Sequence, residues 1–250
     1  MHQDIKEQIS SHRSIRKYSS KSIPEDVLNR ILEAGICASN TGNMQVYSMI
    51  VTQDEALKKK LWEVHFKQNM VLQAPVLITF CADINRFSKW CRARKADPGY
   101  DNLLWFCNAT IDVVLASQNV ALAAESFGLG ICYLGTTTYN ADKIVDLLHL
   151  PEGVIPVTTL VVGYPDETPP LTGRLSLEAV VHKETYHDYN NEDIDRLYSD
   201  LEGAEQTGKL LEINGKETLA QVFTENRYTR KDNEGASAAY LNVMKQQGFL

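Results

Sequence analysis

Gly128-Leu129-Gly130-Ile131-Cys132-Tyr133-Leu134-Gly135 decides the fold, because the order of elements around its glycines separates two architectures. A dinucleotide-binding fingerprint needs a strand before its glycines, a helix after them and the spacing G-x-G-x-x-G. Here the preceding stretch, Asn102 to Phe127, is long, largely apolar and free of Pro and Gly, and it predicts a central buried helix. The stretch that follows, Ile131 to Leu134, predicts a strand. Helix then strand excludes the Rossmann site and makes Gly128 a helix terminator. Gly135, next to Thr136, is a place where a ligand can approach the backbone closely.

The flanking segments extend this pattern. Asn140 to Leu150 predicts a capped helix and Pro156 to Tyr164 a strand. Pro75 to Cys81 is a continuous apolar run expected in the sheet interior, and Val46 to Thr52 is a shorter β-branched one. Asp54 to Phe66 looks helical. Ser22-Ile23-Pro24-Glu25 starts another helix, with Ser22 as cap, Glu25 as the third residue of a capping box and Pro24 in the first turn. Val27, Leu28, Ile31, Leu32 and Ile36 then form its buried face. Ile5 and Ile9, four apart, predict a short amphipathic helix within Asp4 to His12. This alternation is that of an α/β or α+β protein with one main sheet.

Beyond about Thr185 the composition turns polar and acidic as far as Gly203, and two further helical pieces end in Ala238 to Met244. Such a tail has too little apolar content for its own core and is expected to lie on the body or on a partner subunit. The expected division is an N-terminal domain over 1–184 and a C-terminal helical extension over 185–250.

Of the 250 residues 44% are hydrophobic and 23% charged, a balance suited to a globular protein with a real core. With a net charge of -7 and no dense run of Lys and Arg, a nucleic-acid partner is not expected. Arg92, Arg94 and Lys95 form a short cluster read as a solvated loop. Met1-His2-Gln3-Asp4-Ile5-Lys6 has no apolar leader pattern, and no apolar run approaches the ~18 residues of a membrane span, so a cytoplasmic protein without a membrane partner is expected. Five cysteines, an odd number without a C-x-x-C pair, are read as buried reduced thiols, with Cys37, Cys81 and Cys132 in the core. Scattered histidines give no metal-ligand spacing, and no metal is expected.

Two segments carry residue types suited to a ligand. His12-Arg13-Ser14-Ile15-Arg16 places forked guanidinium donors and a hydroxyl within five residues, which suits a phosphomonoester as well as it suits a solvated basic turn. Ser39-Asn40-Thr41-Gly42-Asn43-Met44-Gln45 joins a helix to a strand with hydroxyl and amide groups. Those groups match a heteroaromatic edge, and they are also ordinary turn residues.

Together these segments resemble the FMN-dependent nitroreductase superfamily, in particular its larger, NADPH-preferring branch with an extended C-terminus. The resemblance covers about residues 4 to 188. It is carried by His12 to Arg16, by Ala124-Glu125-Ser126-Phe127-Gly128-Leu129-Gly130 with Tyr133-Leu134-Gly135, by Val162-Gly163-Tyr164-Pro165, and by Leu171-Thr172-Gly173-Arg174-Leu175, in matching order and spacing. It implies an α+β fold whose central, mainly antiparallel sheet is sandwiched by helices, in a homodimer that shares two FMN sites. By matching position Arg13, Ser14 and Arg16 hold the FMN phosphate, with His12 beside them and Arg174 joining from later in the chain. Ser39, Thr41, Gln45 and Gln68 match positions around the ribityl chain and ring, and Tyr133, Leu134, Gly135 and Thr136 match a segment along the ring.

The activity implied is hydride transfer from NADPH or NADH, through flavin N5, to nitroaromatic, quinone or flavin-like acceptors in ping-pong fashion. No side chain is then catalytic, because the cofactor carries the chemistry. Alternatives within the same fold are a flavin-binding or storage protein with little turnover, and a specialised member acting on one metabolite, for which the 95–101 loop is the candidate lid. Thr172 stands where the larger branch commonly has Lys, and Gly173 where Pro is usual. Arg227, Arg230 and Lys231 are the loosely aligned candidates for reading the 2′-phosphate of NADPH.

Overall fold

The computed structural model describes residues 4–250; Met1, His2 and Gln3, part of the start read above as leader-free, lie outside them. The chain divides into two compact units, one made of the residues up to Pro170 with Ala236–Leu250, the other of Leu171–Gly235.

The first unit is built on four antiparallel strands: β1 (Tyr47–Thr52), β2 (Val76–Asp83), β3 (Gly130–Leu134) and β4 (Val154–Gly163), in the order β1-β2-β4-β3. Every residue of β2 is buried, as the apolar run Val76 to Cys81 predicts. Alternation along β2 divides its side chains between the two faces. Val76, Ile78, Phe80 and Ala82 belong to one cluster with Leu28, Ile31, Val113 and Val120, whereas Leu77 belongs to another with Leu61, Met70, Val71 and Ile144. Helices therefore cover both faces, and the fold is α+β.

Helix α1 (Ile5–Ser10) is capped by Asp4, whose carboxylate accepts from the Lys6 N–H. Its apolar residues point away from the core: Ile5 and Ile9 are exposed, while Gln8 is buried and donates to the Leu122 carbonyl at 2.5 Å. Helix α2 (Glu25–Ile36) starts two residues later than a Ser22 cap predicts. Pro24 is the capping residue, its backbone extended (ψ 143°), and no side chain caps the helix. Ile36, expected on the buried face, is exposed. Helix α3 (Glu55–Val64), with Asp54 as cap, and the short α4 (Met70–Gln73) lie on the second face.

Helix α5 (Asn85–Ala93) follows β2; Arg92 is in its last turn, while Arg94 and Lys95 are exposed beyond it. The 95–101 loop is anchored by Tyr100, which packs edge-on against Trp105 at 4.5 Å and Phe87 at 5.3 Å.

Helix α6 (Leu103–Ser126) begins at Asn102, which accepts from the Trp105 N–H, and ends where Gly128 adopts φ +73°. The spacing of Ala109, Ala116 and Val120 brings α6 against α2, and a Cβ at Gly35 of α2 would fall 2.7 Å from Val120 Cγ2. Against expectation, α6 is long and apolar enough for a bilayer span, with a mean hydropathy of 1.2. Its inner face nevertheless packs on the sheet and α2. Its other face is not buried: Leu104, Ile111 and Leu115 are 66%, 56% and 41% exposed at helical spacing. The helix predicted to be central and buried thus presents an apolar stripe.

Helix α7 (Ala141–Leu147) follows Asn140, whose side chain does not cap it but donates to the Val64 carbonyl at 2.7 Å. All five cysteines are free; Cys81, Cys91 and Cys132 are buried, whereas Cys37 and Cys107 are exposed, contrary to the core placement expected for Cys37.

In the second unit, the run expected to be a polar stretch contains α8 (Asn191–Glu202), held by a capping box in which Asn190 and Asp193 exchange side-chain to backbone bonds. After it come α9 (Glu205–Asn214), ended by Gly215 at φ +60°, and α10 (Leu219–Gln221), which continues as a π turn over Val222–Arg227. Two helical pieces were expected after Gly203; there are these and α11 (Arg230–Gln246), whose later part belongs to the first unit. There Tyr240 donates to the Pro156 carbonyl at 3.1 Å, and Phe249 is fully buried against Phe106.

Candidate functional site

Residues 12–18 lie alongside the sheet, where two glycines make room for them. Ser14 bridges Ile131 of β3, and the Ile15 N–H donates to the Ile131 carbonyl at 2.9 Å. A Cβ on Gly130 would sit 2.6 Å from Ile15 Cγ1, and one on Gly163 would sit 2.8 Å from Tyr18 Cδ1 and 2.6 Å from Pro75 Cδ. Substitution at either would force the basic segment outward.

That placement forms a cradle of about 260 Å3 bordered by Gln8, His12, Arg13, Glu125, Gly128 and Glu167. His12 Nδ1 is 2.5 Å from Glu125 Oε1. Arg13 donates from Nη1 to the Ser11 carbonyl at 2.9 Å, while its Nε is buried without a partner. An orphaned guanidinium N–H is costly to bury, so the cradle holds unused capacity for an acceptor. Arg16 is exposed; its backbone N–H and that of Lys17 donate to Glu167 Oε1 at 2.6 and 3.1 Å. The two successive amides thus already hold a carboxylate.

A second group forms around Asp112, a fully buried carboxylate on α6. Its Oδ1 accepts from the Thr41 N–H at 2.8 Å and the Thr41 hydroxyl at 3.0 Å, and its Oδ2 from the Val46 N–H at 3.4 Å. The 41–46 loop is therefore pinned to the central helix. Within it Gln45 has φ +53°, its N–H donates to Asn40 Oδ1, and its carbonyl accepts from Arg86. Ser39, just before this loop, is exposed.

The third group lies at the far end of β3, about 17 Å from Gly130 by strand rise. Tyr133 donates to Ser117 Oγ at 3.2 Å, Leu134 is buried, and no atom lies within 4 Å of a Cβ built on Gly135. Thr136 Oγ1 is 2.8 Å from His65 Nδ1 and accepts from Gln68 Nε2 at 3.4 Å. The structure thus joins Gln68 to Thr136, two residues far apart in sequence. Arg174 belongs to the second unit, exposed, with Nη1 donating to the carbonyls of Thr172 and Gly173.

Asp112, Glu125, Glu167 and His65 escaped the sequence reading. A signal existed for the first two, since they are the only acids within α6. His65 is fully buried, its Nε2 unpartnered, and burial lowers its pKa from 6.5 to about 4. The folded ring is neutral where an unfolded histidine takes up a proton, so the unfolded chain binds more protons between about pH 6.5 and 4. This contribution to stability is complete above that window and is lost as pH falls through it. Chemical denaturation at a series of pH values should show His65→Gln with a shallower loss than the parent; equal slopes would contradict it.

The model of the family described as Nitroreductase family matches residues 9–164. The chain is 30% identical over 243 residues to FMN reductase (NADPH) of Bacillus subtilis (strain 168), covering 96% of this chain and 91% of that protein. It superposes on a crystal structure from Bacteroides fragilis NCTC 9343 with a TM-score of 0.96 and 51% identity, over 97% of this chain and 99% of that one. The structure of the NfrA1 nitroreductase from B. subtilis gives a TM-score of 0.87 at 28% identity, over 98% and 99%.

Proposed function

The chain belongs to the nitroreductase family, and on that premise we propose that it is an FMN-dependent oxidoreductase using NADPH, or NADH, to reduce nitroaromatic, quinone or flavin-like acceptors. The observation that carries the reading is the cradle beside β3, where Arg13 Nε is buried without an acceptor. A phosphomonoester oxygen would supply the acceptor that this N–H lacks. Arg13, Ser14 and Arg16 would hold the phosphate, with His12 beside them. The loop of Ser39, Thr41 and Gln45, with Gln68 and the turn of Tyr133, Leu134, Gly135 and Thr136, would hold the ribityl chain and ring. The separation along β3 suits a ligand with an anionic tail and a planar head.

FMN, when bound, supplies the hydride-accepting centre between nicotinamide and acceptor. The side chains position and orient. Asp112 fixes the 41–46 loop through three bonds, and His65 with Gln68 fixes Thr136. The open space over Gly135 admits a planar group against the backbone. Because one open pocket serves both substrates in turn, the kinetics should be ping-pong.

A second copy of the chain is proposed to cover the apolar stripe of α6 together with Ile5 and Ile9 of α1. An apolar patch of this kind is characteristic of a subunit contact, and a two-fold contact uses the same patch twice. Five free thiols accord with a reducing, cytoplasmic setting.

The test is direct. The purified protein should be yellow, bleach on anaerobic addition of NADPH, recover its colour with a quinone, and give parallel double-reciprocal plots. Yellow protein that bleaches only over hours would favour a flavin-storage role, and intersecting plots would exclude the ping-pong order.

A further inference from the structure

A cavity of about 380 Å3 opens beside the 41–46 loop, bordered by Asn43, Met44 and Gln45 from that loop and by Arg86, Phe87 and Trp90 from α5. The three α5 residues lie outside the segments read as holding FMN. One wall is fixed by hydrogen bonds. Asn43 and Gln45 have φ of +57° and +53°, an uncommon conformation for residues other than glycine. Gln45 Nε2 donates to Asn43 Oδ1 at 3.2 Å, the Gln45 carbonyl accepts from Arg86 Nη2, and Asp83 Oδ1 accepts from the Arg86 N–H at 3.1 Å. The start of α5 is thereby tied to the loop.

The other wall is aromatic. Trp90 packs on Phe87 at 5.3 Å, Phe87 on Tyr100 at 5.3 Å, and Tyr100 on Trp105 at 4.5 Å. This row of rings supports the indole, yet Trp90 is 55% exposed. An indole of which more than half meets water is an unused stacking surface. Among the described residues that border the cavity, Arg86 is the only charged one. A guanidinium has five N–H donors, so the bond to Gln45 leaves capacity for an anionic oxygen.

We propose that this cavity is an acceptor subsite for planar polycyclic quinones bearing an anionic group such as sulfonate or carboxylate, with the rings stacked on Trp90 and the anion at Arg86. The inference deepens the oxidoreductase reading and rests on it, because Gln45 joins the cavity to the loop read as holding the flavin. An electron-poor quinone complements the electron-rich face of an indole. A concave wall with a cation suits a small ligand better than a second copy of the chain, since subunit contacts are depleted of charge at their centre. Trp90 and Arg86 set specificity and make no bonds. The hydride of the proposed reaction and one solvent proton convert the quinone to the hydroquinone.

Anthraquinone sulfonate, whose fused rings resist thiol addition, titrated calorimetrically into the oxidised protein as purified, reads binding apart from turnover. Trp90→Ala should weaken binding roughly 5- to 150-fold, the range found when one aromatic stacking partner of a flat ring is removed. Trp90→Phe should restore most of it. Added salt should weaken binding to the parent, and much less so to Arg86→Gln. In stopped-flow reoxidation of the NADPH-reduced protein, Trp90→Ala should slow naphthoquinone sulfonate far more than the single-ring tetramethylbenzoquinone, a selectivity that general loss of structure would not produce.

Unchanged binding in Trp90→Ala, or equal losses with both acceptors, overturns the subsite while leaving the FMN reading intact. A Trp90→Ala protein that sediments as a monomer but keeps the parent's quinone selectivity also overturns it, and assigns the surface to the subunit contact. Protein that binds the anthraquinone through Trp90 but carries no flavin and is not reduced by NADPH overturns the oxidoreductase reading, and with it the role as an acceptor subsite.

Discussion

Replacing Arg13 and Arg16 together by alanine is expected to yield a folded protein that purifies without yellow colour. Removing a charged partner from a desolvated hydrogen-bonded pair typically costs about 2–5 kcal/mol, which weakens binding by roughly 30- to 5000-fold. The fold should tolerate the change. Arg16 is exposed and is tied to Glu167 through its backbone N–H, which alanine retains. Arg13 makes one bond to the Ser11 carbonyl, and its buried Nε has no partner to lose. Flavin content by visible absorbance, read beside the circular dichroism of the stripped proteins, separates the two effects. A variant that keeps its flavin would show that the phosphate lies elsewhere.

Asp112→Ala should be the most destabilising single change at the site. The fully buried carboxylate satisfies the Thr41 N–H, the Thr41 hydroxyl and the Val46 N–H. Alanine leaves these donors without an acceptor, at about 1–3 kcal/mol for each that water cannot reach, so a total of about 3–5 kcal/mol is expected. For a chain of this size that corresponds to a fall in Tm of about 10 °C or more. Asp112→Asn keeps an oxygen for Thr41 and sets its amide against the Val46 N–H, so it should lose about a third as much. Thermal unfolding of both variants in flavin-free form checks the order; an alanine variant within 1 °C of the parent would remove Asp112 as the anchor of the loop.

Patterns within one segment were legible because their cause is local. The apolar run Val76 to Cys81 became a strand buried along its whole length, and Gly128 ended α6 with a positive φ. The start of α2 was misplaced because Pro24 holds an extended backbone and takes the capping position itself. Helix α8 was overlooked in a polar run, although Asn190 and Asp193 stand at capping-box spacing. At the site, the motif residues could be named from sequence, while the groups that organise them could not. Glu125 meets His12 across 113 positions, and Asp112 meets Thr41 across 71.

From sequence alone came the helix-then-strand order around Gly128, the single main sheet and the basic segment 12–16, since each depends on residue type and spacing within a few turns of chain. Tertiary structure alone decided that α6 buries one apolar face and exposes the other, that Ile15 and Tyr18 lie where Gly130 and Gly163 lack side chains, and that a buried acid sits under Thr41. An apolar side chain carries the same hydrophobicity whichever way it points, and a carboxylate the same charge. Which neighbour each of them meets is set only when distant segments pack.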